Sequence, residues 1–401
     1  MPQAEFNVGV VGHVDHGKTT LTSALTGKWT DTHSEELKRG ITIKLGYADV
    51  VFKQCTRCGF SSTKERCPKC GAPTQATRKI AFLDAPGHET LMATVIAASS
   101  IMDGALFVIA ANEKCPQPQT IEHLMILEAA GIKNVVIAQN KVDLVTRQQA
   151  LEHYKQIREF LKGTTYENAP IIPTAANSGG NLDSLVSALL ETIKPVPRES
   201  GKTRMLVARS FDVNKPGTNV EKLYGGIVGG SIVSGVLKNG EEVRILPGAL
   251  RTHKGKEHYQ ELSTKIVGIR VGDETLEEAK PGGLVALATT LDPSLTGADV
   301  LVGCLLFPAK DEPPVVYQTF SLEITPLSRL LEKFPSSFTP NEPLVLGVGT
   351  ATTVGFVTKQ KKKICELMLK KPVCASKTDV IAVMRRANNR WRLYGTAKLV
   401  S

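Results

Sequence analysis

Apolar and polar positions fall into two textures along this chain. From Phe6 to about Lys194, short apolar runs recur at Asn7 to Val11, Ala105 to Ala110, Asn134 to Ala138 and Pro170 to Ile172, with segments of helical period such as Glu122 to Ala130 between them. Runs this short and uniformly apolar read as strands buried on both faces, so the pattern predicts a parallel sheet wrapped by helices. KPVPRESGK, Lys194 to Lys202, is rich in proline and charge and reads as a linker. Past it the period shortens to two. GGIVGGSIVSGVLKNGEEVRILPG carries strand-like alternation into a turn signal at Asn239-Gly240, and short β-type segments cut by glycine and proline continue beyond it. Closed β-barrels fit that texture, and the proline-rich break DEPPVV, Asp311 to Val316, divides it in two. The expected architecture is an α/β phosphate-loop domain over residues 1–200, then β-barrel domains over 201–312 and 313–401.

A chain of 401 residues exceeds what one hydrophobic core supports, which agrees with several domains. No apolar run reaches the roughly 18 residues needed to cross a bilayer. The first residues, MPQAEFNVGV, lack the charged and apolar regions of a secretory signal, so the expected setting is the cytoplasm, without a membrane partner. A formal charge of +10 favours a polyanionic partner. Cysteines change the picture more. Four of the eight are clustered, while Cys115, Cys304, Cys365 and Cys374 are scattered. In a reducing compartment this argues for one metal site plus small buried thiols rather than disulfides. The basic run Lys359 to Lys363 reads as a solvated strand or turn.

GHVDHGKT, Gly12 to Thr19, fits the phosphate-loop pattern and sits between an apolar strand and the helix-like LTSALTG. In such a loop the backbone amides face the phosphates, Lys18 reaches the β and γ oxygens, and the Thr19 hydroxyl ligates Mg²⁺. QNKVD, Gln139 to Asp143, names the base: the Asp143 carboxylate accepts the two donors on guanine's edge, while Asn140 and Lys141 brace the loop and flank the ring. Between them DAPGHETL follows the apolar run Ile80 to Leu83. Asp84 is placed to hold Mg²⁺ through water, and the Gly87 amide can bond a γ-phosphate only while that phosphate exists, which makes a switch. Thr42 is the hydroxyl expected to complete Mg²⁺ coordination in the triphosphate state, or else a plain strand residue. His88 stands where a group that orients the attacking water would sit; its bland alternative is a helix-start histidine without a role. His13 and His16 lack metal-ligand partners and read as loop-structural.

CTRCGFSSTKERCPKCGA, Cys55 to Ala72, holds two Cys-x-x-Cys pairs, Cys55 with Cys58 and Cys67 with Cys70, each followed by glycine. That spacing puts two thiolates on adjacent corners of a tetrahedron, and the glycine permits the tight turn around the metal. Four thiolates leave no open position, so the site is expected to be structural, with Zn²⁺ as the metal and iron as the alternative. It lies inside the phosphate-loop domain as an insertion over residues 55–70.

Taken together, GHVDHGKT, RGITIKLGYAD, DAPGHE and QNKVD, with RSFDVNKPGT (Arg209 to Thr218), PGGLVALATTLDPSLT (Pro281 to Thr296) and NRWRLYG (Asn389 to Gly395), resemble the gamma subunit family of translation initiation factor 2 over nearly the whole chain. The first and third motifs are shared with elongation factor Tu and other translational GTPases. The resemblance implies a GTP- and GDP-binding domain followed by two β-barrels, GTP hydrolysis, and GTP-dependent carriage of initiator methionyl-tRNA to the small ribosomal subunit. It also implies association with an alpha subunit on the second domain and a beta subunit on the first. By motif match, Asp15 lies beside the phosphates and Mg²⁺, and His16, Gly17 and Thr20 belong to the loop that wraps the nucleotide. Val14 and Ile41 resemble an apolar gate that screens the histidine, and Ala175, with Ala176 beside it, supplies a backbone amide to the guanine oxygen. Two stretches depart from the family: TAANSGGN, Thr174 to Asn181, replaces the usual Ser-Ala pair and its loop, and LEKFPSSFTPNEPL, Leu331 to Leu344, is short. The alternative is an elongation-factor-like GTPase, either a selenocysteine-type carrier or an activator of a metabolic enzyme; the cysteine pairs and RSFDVNKPGT weigh against it.

Overall fold

A computed structural model describes residues 2–30, 42, 45–88, 91–194, 198, 201–215, 217–330 and 332–400. The chain divides into two compact units, Gln3–Val196 and Pro197–Ser401.

The first unit is a seven-stranded sheet. Its strands are β1 (Phe6–Val11), β2 (Gly46–Cys55), β3 (Ser61–Ser62), β4 (Thr74–Asp84), β5 (Gly104–Ala110), β6 (Val135–Asn140) and β7 (Ile171–Pro173), in the order β3-β2-β4-β1-β5-β6-β7. From β4 to β7 neighbouring strands are parallel, and β2 and β3 add antiparallel pairings at one edge. Every residue of β1, β5 and β6 is buried, as strands covered on both faces must be. Among the described residues the helices are α1 (Lys18–Thr26), α2 (Met92–Ser99), α3 (Pro118–Ala129), α4 (Arg147–Leu161) and α5 (Leu182–Thr192). Strand β6 runs two residues beyond the apolar stretch that predicts it. Gln139 is buried, its Nε2 donating to Ala150 O at 2.8 Å and to His153 Nδ1 at 3.1 Å. Because the core strands are parallel, the carboxyl ends of β1, β4, β6 and β7 open on one side, where α/β sheets place ligands.

The second unit holds two closed barrels. One runs through Glu242–His253, Leu305–Pro308, Arg204–Phe211, Ile227–Ser234, Val285–Thr289 and Lys256–Val271, and pairing of the last with the first closes it. The other runs through Val316–Pro326, Ile364–Cys374, Ala351–Lys361, Pro343–Val348, Ile381–Ala387 and Arg390–Leu399, closed by pairing of Val316–Pro326 with Arg390–Leu399. Val207, Ile245 and Leu287 fill the first barrel, and Phe320, Leu346 and Leu367 the second. Asn239-Gly240 does turn the chain, with φ 82° at Gly240, yet the strands it joins pair elsewhere: Leu237–Lys238 with Glu278–Ala279, and Glu242–His253 with Lys256–Val271. The lysine run lies at the exposed turn between Ala351–Lys361 and Ile364–Cys374. Leu246, Leu305 and Phe307 form a further apolar cluster with Leu206 and Cys374, and Lys371 Nζ donates to Val302 O at 2.9 Å, so the barrels pack as one body. Among the described residues no helix is long and apolar enough to cross a membrane.

Candidate nucleotide and metal sites

Four strand ends build the first site. The segment between β1 and α1 turns through Asp15 and Gly17, both left-handed, at φ 62° and 86°. A Cβ on Gly17 would lie 2.5 Å from Asn140 Nδ2, so no side chain fits there. His16 turns away from the solvent and is 1% exposed. Its Nδ1–H donates to Val108 O at 3.0 Å, and burial pushes its pKa down to about 3, leaving a neutral ring that anchors the loop to β5. Lys18 Nζ donates to His13 O at 2.8 Å, across the loop's own turn. From β6, the buried Asn140 donates through Nδ2 to His16 O at 3.0 Å and accepts at Oδ1 from Thr174 Oγ1 at 3.3 Å and Ala176 N at 3.2 Å.

A cavity of about 470 Å³ opens around this loop and brings together Val14, Asp15, Gly17, Lys18, Thr19, Thr20, Thr42, Gly87, His88, Asn140, Lys141, Asp143 and Ala176. Thr19 Oγ1 lies 3.2 Å from Thr42 Oγ1 and donates to Asp84 Oδ2 at 2.7 Å. Asp84 is fully buried behind the lining and accepts a second bond, at 2.6 Å, from Thr30 Oγ1. Gly87 approaches the phosphate loop so closely that a Cβ would meet Lys18 Nζ at 2.4 Å and Gly12 O and Val14 N at 2.9 Å. Lys141, at φ 61°, leads into the short turn Val142–Leu144 that presents Asp143. His16 and Ala175 are absent from the lining. The Ala175 amide, expected to face the base, instead donates to Gly180 O at 3.1 Å, because Gly179 at φ 72° folds Thr174 to Asn181 back into a small β-bridge. Ile41 lies outside the described residues. Trp29, Leu144 and Asn177 also line the cavity, and sequence reasoning passed over all three. Leu144 and Asn177 adjoin recognised motifs, whereas Trp29 belongs to no motif.

The second site hangs on the β2–β4 ribbon. Gly59 and Gly71, at φ 69° and 73°, each return an amide to the first cysteine of their pair: Gly59 N to Cys55 O at 3.0 Å, Gly71 N to Cys67 O at 2.9 Å. The two matching turns bring the four Sγ atoms within 4.8 Å of one another. Separations of 3.4 Å (Cys55 to Cys70) and 3.6 Å (Cys58 to both Cys67 and Cys70) come close to the roughly 3.8 Å edge of a tetrahedron with 2.3 Å zinc–sulfur bonds. The amides of Cys58 and Arg57 both donate to Cys55 Sγ and help pull that thiol down to about 6; Cys58, despite an amide bond from Phe60, is pushed up to about 12 by burial and the surrounding thiols. Four convergent sulfurs at these separations leave no open position and suit Zn²⁺. Of the scattered cysteines, Cys115, Cys304 and Cys365 are buried and Cys374 half-buried, and burial pushes Cys115 up to about 12.

Comparison with known proteins bears on both sites. The family model described as elongation factor Tu GTP binding domain matches residues 3–195, and the model described as initiation factor eIF2 gamma, C terminal, matches residues 318–399. Translation initiation factor 2 subunit gamma of Pyrococcus furiosus is 52% identical over 398 residues, covering 98% of this chain and 97% of that protein. The protein of the same name from Methanococcus aeolicus is 50% identical over 406 residues, covering 98% of each. Among solved structures, a bacterial selenocysteine-specific elongation factor superposes with a TM-score of 0.75 at 23% identity, covering 100% of this chain and 58% of that one. Translation elongation factor SelB of Methanococcus maripaludis, in complex with a GTP analogue, gives 0.72 at 23% identity, covering 100% and 80%. At that identity the likeness shows the fold alone.

Elemental analysis of the purified protein is expected to give one zinc per chain, and Cys58→Ser or Cys70→Ser to abolish it. Iron in its place, or no metal in the unsubstituted chain, overturns the assignment.

Proposed function

We infer the function from one premise: the chain belongs to the translation initiation factor 2 gamma subunit family. It is a translational GTPase that binds guanine nucleotides. It carries initiator methionyl-tRNA to the small ribosomal subunit while GTP is bound and releases it after hydrolysis, within a complex completed by alpha and beta subunits. The observation that carries this reading is identity of 50–52% over 98% of the chain, spanning both the nucleotide-binding and the C-terminal β segments. Selenocysteine-type carriers share the fold at only 23% identity.

The loop amides between Val14 and Thr20, with Lys18, hold the phosphates, and Asp143 accepts guanine's two edge donors, which adenine does not present. Lys141 covers one face of the ring. Oxygens adjacent in an octahedral Mg²⁺ shell lie about 2.9 Å apart, and Thr19 Oγ1 has Thr42 Oγ1 at 3.2 Å, so the two hydroxyls fit neighbouring positions on the ion, with Asp84 Oδ2 2.7 Å from Thr19 Oγ1 to support them. Thr19 and Thr42 would hold it directly and Asp15 and Asp84 from behind; when bound, it neutralises charge on the β and γ oxygens. Gly87 lies as near the phosphate loop as a residue without a Cβ allows, so its amide bonds a γ-phosphate and loses that partner after hydrolysis. Because phosphoryl transfer needs little covalent help, placing the water is the largest remaining task, and His88, beside Gly87 in the same cavity, does it, with Val14 as the apolar side of its gate.

His88→Ala should keep GTP affinity while lowering stimulated hydrolysis by a factor on the order of 10 or more, read by single-turnover phosphate release; unchanged hydrolysis removes the role. Asp143→Asn should move preference from guanine toward xanthine nucleotides in a competition assay, and retained guanine selectivity would count against base reading by this carboxylate. The carrier function is tested by binding of initiator against elongator methionyl-tRNA, at fixed salt, to protein loaded with a GTP analogue or GDP, with and without alpha subunit. Preference for the initiator species in the triphosphate state is expected, and no tRNA binding in any state with GTP binding intact refutes it.

A further inference from the structure

Trp29 presents an apolar surface with nothing in its sequence neighbourhood to explain it. The indole is 52% exposed, in the lining of the nucleotide cavity. Among the described residues, Leu144, 61% exposed and next to Asp143, is the other large apolar side chain exposed in that lining. Its neighbours in sequence are tied down by hydrogen bonds. Helix α1 ends at Gly27, whose amide returns to Ser23 O at 2.8 Å. Lys28 donates from its amide to Thr26 Oγ1 at 3.1 Å and from Nζ to Asp49 Oδ1 at 3.1 Å, while Thr30 is buried and bonded to Asp84. Polar tethers on both sides therefore hold an unburied indole at the cavity wall.

The same side chain borders a second cavity, of about 500 Å³, which shares Thr20, Trp29, Ala176 and Asn177 with the first and continues to Thr63 and Lys64 of the cysteine module. The indole is thus part of a partition between the nucleotide and the module. We propose that Trp29 is a nucleotide-binding residue of the GTPase site, laying its indole against the nucleoside part of bound GTP or GDP. An aromatic surface preset by the backbone loses little entropy on covering a purine or ribose, and contact with the base removes indole and base from water together. Phosphates offer no such surface. The contact is common to GTP and GDP, so it adds affinity without discriminating the two states.

The inference rests on the reading of this cavity as the nucleotide site, which the Asp143→Asn competition tests separately. The chain has two tryptophans, so Trp391→Phe leaves Trp29 as the sole indole. In that background GDP and GTP should change the emission, tracking occupancy measured by filter retention of labelled nucleotide, whereas inorganic tripolyphosphate should leave it unchanged. Trp29→Ala should raise the Kd of GDP and GTP alike by about 10-fold, and Trp29→Phe should recover most of the loss. Unchanged emission at proven saturation, an equal response to tripolyphosphate, or a Kd within twofold in a folded Trp29→Ala protein overturns it. If Trp29→Ala does not fold, the emission titration and the Trp29→Phe affinity still decide.

Discussion

One buried carboxamide holds the nucleotide-facing half of the first unit together. Asn140 is 1% exposed and satisfies its donor on the phosphate loop and its acceptor on the segment after β7, so a single side chain ties regions 124 and 36 residues away in sequence. Leaving such a group half-paired in the core costs on the order of 1–3 kcal/mol, which makes the bridge self-enforcing. Its consequences spread outward. Gly17 must lack a side chain because Asn140 occupies that space, and the left-handed Lys141 that follows aims Asp143 back at the cavity. The parallel sheet is what makes the bridge possible, since it brings the ends of β1, β6 and β7 to one side.

A second buried group organises the opposite end of the cavity. Asp84 closes β4 and gathers Thr19 from α1 and Thr30 from the segment after it, so the oxygens proposed to surround Mg²⁺ are already assembled by hydrogen bonds. Strand β4 also begins beside the cysteines: its first residue, Thr74, pairs with Cys55, and its last, Asp84, with Gly46. The cysteine module and Asp84 therefore lie at two ends of one antiparallel ribbon. A metal fixing the four thiols at one end would limit how the ribbon can shear, which would give a closed, structural site a reason to be in a domain whose work is phosphoryl transfer.

Much of this was legible because the chemistry is local. A phosphate loop, Asn-Lys-x-Asp and paired Cys-x-x-Cys each bring their ligands together within a few residues, and runs such as GALFVIA read as buried strands without knowledge of their partners. What escaped depends on distant partners. Closed barrels were expected from the texture, but not which strands close them: Val316–Pro326 meets Arg390–Leu399 across some 70 residues. The short stretch Leu331 to Leu344 makes sense only with Arg385, which donates to the carbonyls of Pro335 and Ser337 and to Glu342 and lies over Phe338. The Ala175 amide was assigned to a ligand by motif, but the glycines after it allow the chain to satisfy that amide internally. Trp29 had no pattern to betray it, since an isolated exposed aromatic in a sequence looks like any other.

The two halves of the cavity are built differently, and that difference bears on how a switch can work. On the base side, buried bonds through Asn140, Thr174 and Ala176 fix the backbone whether or not a nucleotide is present. On the phosphate side, Gly87 and Thr42 are brought close to Lys18 and Thr19. In the switch proposed above, a γ-phosphate changes the partners of these groups and leaves the base side untouched. On that proposal, affinity common to GTP and GDP resides in the base half, and the differential contacts at Gly87 and Thr42 are what shift the conformational equilibrium. Trp29 stands between the halves, held to Asp84 through Thr30 yet facing the same cavity as Asp143. A side chain so placed can strengthen binding in both states without blurring the distinction on which release of the cargo depends.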